Sequence, residues 1–298
     1  MLLALAVIAL IAHAPVPQAP AALVPDAPTV CNACDEWNAP QEPFRIFGNA
    51  WYVGTAGLSA VLITSDAGHV LIDGGLPQSA PRIDANIRAL GFRTADIRLI
   101  VTSHAHFDHV GGVAALQRAS GATVAATAAA ARALEAGLPT PDDPQYGLGR
   151  EANAFPPVAR VKVIADGEVL RVGDAALTAH ATPGHTPGGT SWSWRSCEGD
   201  RCLTIVYADS LTAVSADDFR FSDGPLAAAF RATIDRVAAL PCDIVVAAHP
   251  GFTDLQGRLE RRRAGVTPDP FVDPAGCRAY AAAARERLEK RLDAERAR

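Results

Sequence analysis

The chain has 298 residues, of which 49% are hydrophobic and 20% charged. That composition supports a packed core and excludes a disordered or low-complexity protein. The formal charge of −5, from 27 basic and 32 acidic residues, leaves no basic excess to meet a phosphate backbone, so no nucleic-acid partner is expected.

In chain order the first element is a leader. "MLLALAVIALIAHAPVPQAPAA" holds an apolar run from Leu2 to Ala12 and an A-x-A pattern at Ala12-His13-Ala14, although no lysine or arginine precedes the run. A membrane span needs roughly 20 apolar residues, so the run predicts a secretory signal rather than an anchor. The predicted division is residues 1–21 as leader, cut between Ala14 and Ala22, residues 22–36 as an N-terminal segment, and residues 37–298 as a single domain. The mature protein is expected in the periplasm, free of the membrane and monomeric.

"FRIFGNAWYVG" and "SAVLITSDAGHVLIDGG" read as strands, with a turn at Asp66-Ala67-Gly68. "SAPRIDANIRALG" has the serine start, early proline and terminal glycine of a helix. "IRLIVTS" is a short buried strand, "VGGVAALQRAS" a helix and "ATVAAT" a strand. Residues 137–157, rich in Pro, Gly and Asp, read as a long loop. A second series of strands runs from "ARVKVI" to "TIVYA"; "PLAAAFRATIDRVAAL" is a helix, "DIVVAA" a strand and "CRAYAAAARERLEKRLDAERAR" a terminal helix. The charges of that last helix, with Glu286 and Lys290 four apart, predict a solvated face. Strands mixed with helices in both halves predict a sheet-rich α/β layered domain.

Six cysteines fit an oxidising destination. Cys197 and Cys202 flank a short turn that a disulfide would close. Cys31 and Cys34 form a C-x-x-C that suits a local disulfide, a redox pair or half a zinc site. Cys242 and Cys277 bracket the late part of the chain. Spacing alone leaves fifteen pairings open.

The chemistry gathers after the short apolar strands. "LIVTS" leads into His104-Ala105-His106-Phe107-Asp108-His109, "LTAHATPG" into His185, "TIVYA" into Asp209-Ser210, and "DIVVAA" into His249. Five of the eight histidines lie at the ends of buried strands, where a rigid sheet can aim them at one point. His104 and His106, two apart, can grip one ion with His185 as a third imidazole, leaving a fourth position open for water. Asp108, His109 and His249 form a second set of two nitrogens and one oxygen. Two ions about 3.5–4 Å apart would then share a bridging hydroxide. His13, His69 and His180 carry no such pattern and read as ordinary core or surface histidines. Asp73, in "LIDGG", is a candidate to brace the metal loop or a plain turn residue.

The H-x-H-x-D-H cluster resembles the signature of the metallo-β-lactamase superfamily, shared with thioesterases, lactonases and RNA-processing nucleases. "WNAPQEPFRIFGNAWYVGTAGLSAVLITS", "LIDGGLPQSAPRIDANIRALGF", "SHAHFDHVGGVAALQRASGA", "ATPGHTPGGTSWSW" and "YADSLTA" resemble more narrowly the subclass B3 metallo-β-lactamases, from about Trp37 to the terminal helix. The resemblance implies a four-layer αββα sandwich, two mixed β-sheets flanked by helices. It implies two Zn2+ per chain, one held by His104, His106 and His185, the other by Asp108, His109 and His249. The implied reaction is opening of the β-lactam ring of penicillins, cephalosporins and carbapenems, conferring antibiotic resistance. A zinc-bound hydroxide is the implied nucleophile, Asp108 the residue that orients it, and Ser210 and Thr212 the hydroxyls that meet the substrate carboxylate. Asp209 is open: in the thioesterase and lactonase relatives an aspartate here bridges the metals, whereas the B3 pattern makes it no ligand. Cys242–Cys277 resembles the subclass disulfide and Cys197–Cys202 one found in some members; Cys31 and Cys34 match neither.

A serine-acyl route is excluded, because Ala159 precedes Lys162 and Arg287 precedes Lys290 where S-x-x-K needs serine. The rival expectation is a hydrolase of another ester, thioester or lactone. About 49 residues follow His249, short for an added helical substrate-binding domain. A non-catalytic metal or redox module is the third reading.

Overall fold

The computed structural model describes residues 23–297; the expected leader and His13 lie outside them. Seven strands form the first sheet, in sequence order: β1 (Phe44–Phe47), β2 (Ala50–Tyr52), β3 (Val61–Ser65), β4 (Gly68–Ile72), β5 (Ile97–Val101), β6 (Thr123–Thr127) and β7 (Val161–Ile164). The first four are antiparallel; from β4 onward the pairing is parallel. The second sheet comprises β8 (Val169–Val172), β9 (Ala175–Ala181), β10 (Thr190–Glu198), β11 (Arg201–Ala208) and β12 (Ile244–Ala247), in the order 12-11-10-9-8.

Side-chain alternation along the strands separates three hydrophobic interfaces and so defines four layers. In β3, Val61 and Ile63 face the other sheet, while Leu62 faces out. In β11, Ile205 and Tyr207 face in, and Val206 and Ala208 face out. The outward face of the first sheet is covered by α2 (Ala80–Ala89), α4 (Val113–Ser120) and α5 (Ala128–Ala136). The second is covered by α7 (Leu226–Ala239) and α9 (Gly276–Arg296). Covering both faces buries every residue of β4, as for a two-sided strand. Two mixed sheets flanked by helices are thus what the B3-like segments implied.

Several elements depart from the sequence reading. α5 and α8 (Leu255–Arg263) were not expected: the buried stripe of α5 is alanine but for Leu134, a weak apolar signal, and α8 is an arginine-rich stretch that buries only Leu255 and Leu259. The 137–157 loop contains a 3-10 turn (Tyr146–Leu148) and a short α-helix, α6 (Gly149–Asn153). The solvated face expected of α9 is interrupted: Glu295 is 4% exposed and accepts hydrogen bonds from the N–H groups of Phe221 and Ser222. Glu289 pairs with Arg231 of α7 at 2.6 Å. All six cysteines are paired, as Cys31–Cys34, Cys197–Cys202 and Cys242–Cys277. Among the described residues no helix is long and apolar enough to cross a membrane.

Candidate metal centre

β9, β11 and β12 run in one direction, as the ladders through β10 require. Their C-terminal ends deliver His185, Asp209 and His249 to the edge of the sandwich where β5 delivers residues 104–109. The two sheets are tied there by Thr190 N–H to the Ser103 carbonyl, 2.7 Å, and Ser59 N–H to the Ala248 carbonyl, 2.9 Å. A single helical turn, α3 (Phe107–Val110), carries Asp108 and His109. Its loop docks on "LIDGG": the Gly74 N–H reaches the His109 carbonyl at 2.8 Å and the Gly112 N–H reaches Gly75 at 3.1 Å. A Cβ at Gly112 would sit 2.3 Å from the Gly74 carbonyl oxygen, so this approach requires glycine.

The rings of His104, His106 and His185 form a nearly equilateral set, with centroids 4.9, 4.7 and 5.0 Å apart. One nitrogen from each lies within 4.8 Å of the others. The far side of each ring is held: His104 Nδ1 is 2.8 Å from Asp209 Oδ1, His185 Nδ1 donates to the Thr212 carbonyl at 2.8 Å, and His106 Nε2 is 3.1 Å from an Asp143 oxygen. Such partners fix tautomer and direction, leaving Nε2 of His104 and His185 and Nδ1 of His106 as the inward lone pairs. His104 Nε2 is buried with no hydrogen-bond partner, which suits a nitrogen meant for a cation. Burial, then the neighbouring imidazoles, hold His104 well below the ordinary histidine range, and burial and His106 bring His185 down to about 3. Both are therefore neutral imidazoles, the form that ligates metal.

The second set is tighter. Asp108 Oδ2 is 3.3 Å from His109 Nε2 and 3.4 Å from His249 Nε2, and the two nitrogens are 3.2 Å apart. Ligands at the usual zinc distances sit about 3.3 Å apart along a tetrahedral edge, so the corner has the size of a divalent-ion site. Burial opposes charge on both Asp108 and His109. Yet contact with His109 and His249 holds Asp108 well below the carboxylate range, while Asp108 and Asp73 hold His109 up to about 10. The corner calls for positive charge, which a proton or a metal cation supplies. His104 links the sets, its ring 4.2 Å from that of His109.

Asp73 braces this arrangement. It is fully buried, with φ of 61°. Its carboxylate accepts hydrogen bonds from Ser103 N–H and Oγ, both 2.6 Å, and from Tyr207 OH, 2.8 Å, and lies 3.6 Å from His109 Nδ1. Asp209 is fully buried and grips His104 from behind rather than lying between the two sets. Of the expected carboxylate-binding hydroxyls, Thr212 lines the cavity. Ser210 does not: it is 1% exposed, and its N–H bonds Asp209 Oδ1 at 2.8 Å. His69 packs edge-on to Phe92 and His180 bonds Ser193, both away from the centre.

His106, Asp108, His185 and His249 line a cavity of about 600 Å³ whose wall also includes Trp37, Phe107, Gln145 and Phe252, while His104 and His109 are fully buried. Sequence reasoning assigned none of Trp37, Phe107, Gln145 and Phe252, nor Asp143, to the site. Asp143 lies in "PTPDDPQYG", where no spacing marks one acid above its neighbour. The Trp37 ring packs 5.3 Å from His249.

Residues 54–249 match the family model of the metallo-beta-lactamase superfamily. The chain belongs to that superfamily. Among solved structures, this metallo-β-lactamase superfamily member is similar to the Rm3 metallo-beta-lactamase, with 54% identity, TM-score 0.86, and coverage of 90% of this chain and 99% of the other. It is also similar to MEM-A1, a subclass B3 metallo-beta-lactamase from a soil metagenome library, with 50% identity, TM-score 0.84, and coverage of 88% and 99%. A hydroxyacylglutathione hydrolase of Rhodobacter capsulatus is 30% identical over 190 residues, 64% of this chain and 60% of that protein. The chain thus spans about 60% of the length of that curated relative.

Proposed function

We propose that the protein is a zinc-dependent β-lactamase of the periplasm, acting as a monomer on penicillins, cephalosporins and carbapenems. The observation that carries this reading is the pair of adjoining three-residue donor sets, all imidazole and carboxylate, of which His106, Asp108, His185 and His249 line a cavity sized for a small molecule. No thiolate competes, since every cysteine is in a disulfide, and a mixed nitrogen–oxygen set suits zinc. Identity of 54% with a metallo-beta-lactamase over nearly its whole length supports the same reading.

When bound, a pair of divalent ions supplies Lewis acidity and a water that ionises near neutral pH. The chain's own residues do the rest. His104, His106 and His185 would hold the first ion, and Asp108, His109 and His249 the second. Asp108 stays ionised among its two histidines and accepts a hydrogen bond from the attacking water, fixing its line of approach. Thr212 presents its hydroxyl to the substrate carboxylate. Trp37, Phe107 and Phe252 exclude bulk water from the apolar side of the cavity.

The test is hydrolysis of one penicillin, one cephalosporin and one carbapenem by the purified protein, with and without chelator, alongside a glutathione thioester. Lactam cleavage lost to chelator and restored by zinc, at two ions per chain, is expected. Inert lactams with rapid thioester cleavage would replace this reading by the one that the hydroxyacylglutathione hydrolase similarity favours.

A further inference from the structure

We propose that Glu36 is a specificity-determining residue: as an exposed acid in the cavity wall, it favours substrates that carry a cationic substituent. This inference rests on the lactamase reading above.

The wall that holds Glu36 is built rather than incidental. Glu36 and Trp37 lie on one helical turn, α1 (Cys34–Trp37), whose start is closed by the Cys31–Cys34 disulfide. Its end is tied to the neighbouring turn. The Trp37 carbonyl accepts from Thr55 Oγ1 at 2.6 Å and from Gly57 N–H at 3.2 Å, and Ala56 N–H reaches the Ala39 carbonyl at 2.9 Å. A Cβ on Gly57 would lie 2.6 Å from Trp37 Cα, so the two segments touch backbone to backbone. The Trp37 ring is wedged against His249, 5.3 Å, and Phe107, 6.4 Å. A turn held at both ends and along one side chain keeps the adjacent Glu36 in the wall.

The charges in the wall give that position its consequence. Among the described residues no lysine or arginine lines the cavity, and the acids that do are Asp108 and Glu36. Asp108 is buried against His109 and His249. Glu36 is exposed, and among the described residues no side chain pairs with its carboxylate. An ionised carboxylate in the wall attracts ammonium and pyridinium groups by charge, and an indole in the same wall adds the attraction of its quadrupole. The carboxylate common to β-lactams is drawn to the metal end and Thr212. A substituent extending toward α1 then meets Glu36, which attracts it if cationic and repels it if anionic.

The experiment compares lactams of one scaffold that differ only by a permanent quaternary ammonium or pyridinium on a substituent. The readout is the ratio of kcat/KM, cationic over neutral. Wild type is expected to favour the cationic member about two- to fivefold, the scale of a solvent-exposed ion pair. Glu36→Gln should lower the ratio toward one, leaving only what the Trp37 ring contributes, and Glu36→Lys should lower it further. Raising salt from 0.01 to 1 M shortens the Debye length from about 30 to about 3 Å, so wild type should then behave like Glu36→Gln, a change that a merely structural role would not produce. A ratio unchanged in both variants, with lactams still cleaved, overturns this inference alone. Failure of the wild type to cleave either lactam overturns the lactamase reading and the inference with it.

Discussion

Asp209→Asn is the substitution that separates gripping a ligand from being one. Asp209 Oδ1 lies 2.8 Å from both His104 Nδ1 and the Ser210 nitrogen, and Oδ2 lies 3.3 Å from Thr182 Oγ1. Asparagine keeps an oxygen where Oδ1 stands and turns its amide hydrogens toward the Thr182 hydroxyl, which can accept. Burial pushes the Asp209 carboxyl well above the ordinary carboxylate range, and a cation on His104 would favour its ionised form. No bond is lost in the variant, but the one to His104 can then no longer be charge-assisted. Such bonds are about twice as strong as neutral ones, so the loss is about 1–1.5 kcal/mol. Metal affinity should fall about tenfold, at the low end of the 10–100-fold typical of residues that brace a metal ligand. The count of bound ions should stay at two. Competition against a chromophoric zinc chelator measures both quantities. Asp209→Ala behaves differently: it strands two buried N–H groups, at about 1–3 kcal/mol each, and should destabilise the apoprotein in urea. A single ion per chain in Asp209→Asn would mean that the carboxylate is itself a ligand. Unchanged affinity would mean that His104 needs no anchor, and either result refutes the reasoning.

Asp108→Ala removes the only oxygen from the second set, so bound metal should drop from two ions to one and turnover by more than the 10–100-fold of an outer partner; metal analysis with steady-state kinetics checks this. Burial opposes charge on Glu295, but the N–H groups of Ser222 and Phe221 and the Arg291 guanidinium bring it down from 4.5 to about 2. Its contribution is therefore complete above about pH 4.5 and lost as pH falls toward 2. The gap amounts to about 3 kcal/mol, and Glu295→Gln should flatten the acid limb of a urea-midpoint profile. Cys242–Cys277 closes a separation of 35 residues; replacing both by serine should lower stability by about 3–4 kcal/mol, measured by urea melting. Tyr207→Phe takes a donor from Asp73, leaving its buried Oδ2 to Ser103, and should cost about 1–2 kcal/mol in the same assay.

Residues spaced closely in the chain speak for themselves. His104, His106, Asp108 and His109 fall within six positions after a buried strand, and local geometry alone makes them neighbours. His185 and His249 were legible because each follows its own apolar strand, and strand ends converge in a layered sheet. Short β-branched and apolar runs likewise announced β3, β4, β11 and β12. The alanine stripe of α5 and the arginine-rich α8 announced nothing.

What depends on the meeting of distant segments was decided only by the tertiary structure. Asp209 and Ser210 stand side by side in the chain as plausible polar residues. The fold turns the first behind His104 and buries the second, because β11 enters the sandwich at one register and Tyr280 OH donates to the Asp209 carbonyl at 2.7 Å. Asp143 meets His106 across 37 positions, and Trp37 meets His249 across more than two hundred. The amino-acid order by itself determined which atoms are able to bind a metal. Packing of the two sheets determined which carboxylates face those atoms and which stand behind them, since that choice depends on side-chain direction and burial, and a linear pattern carries neither.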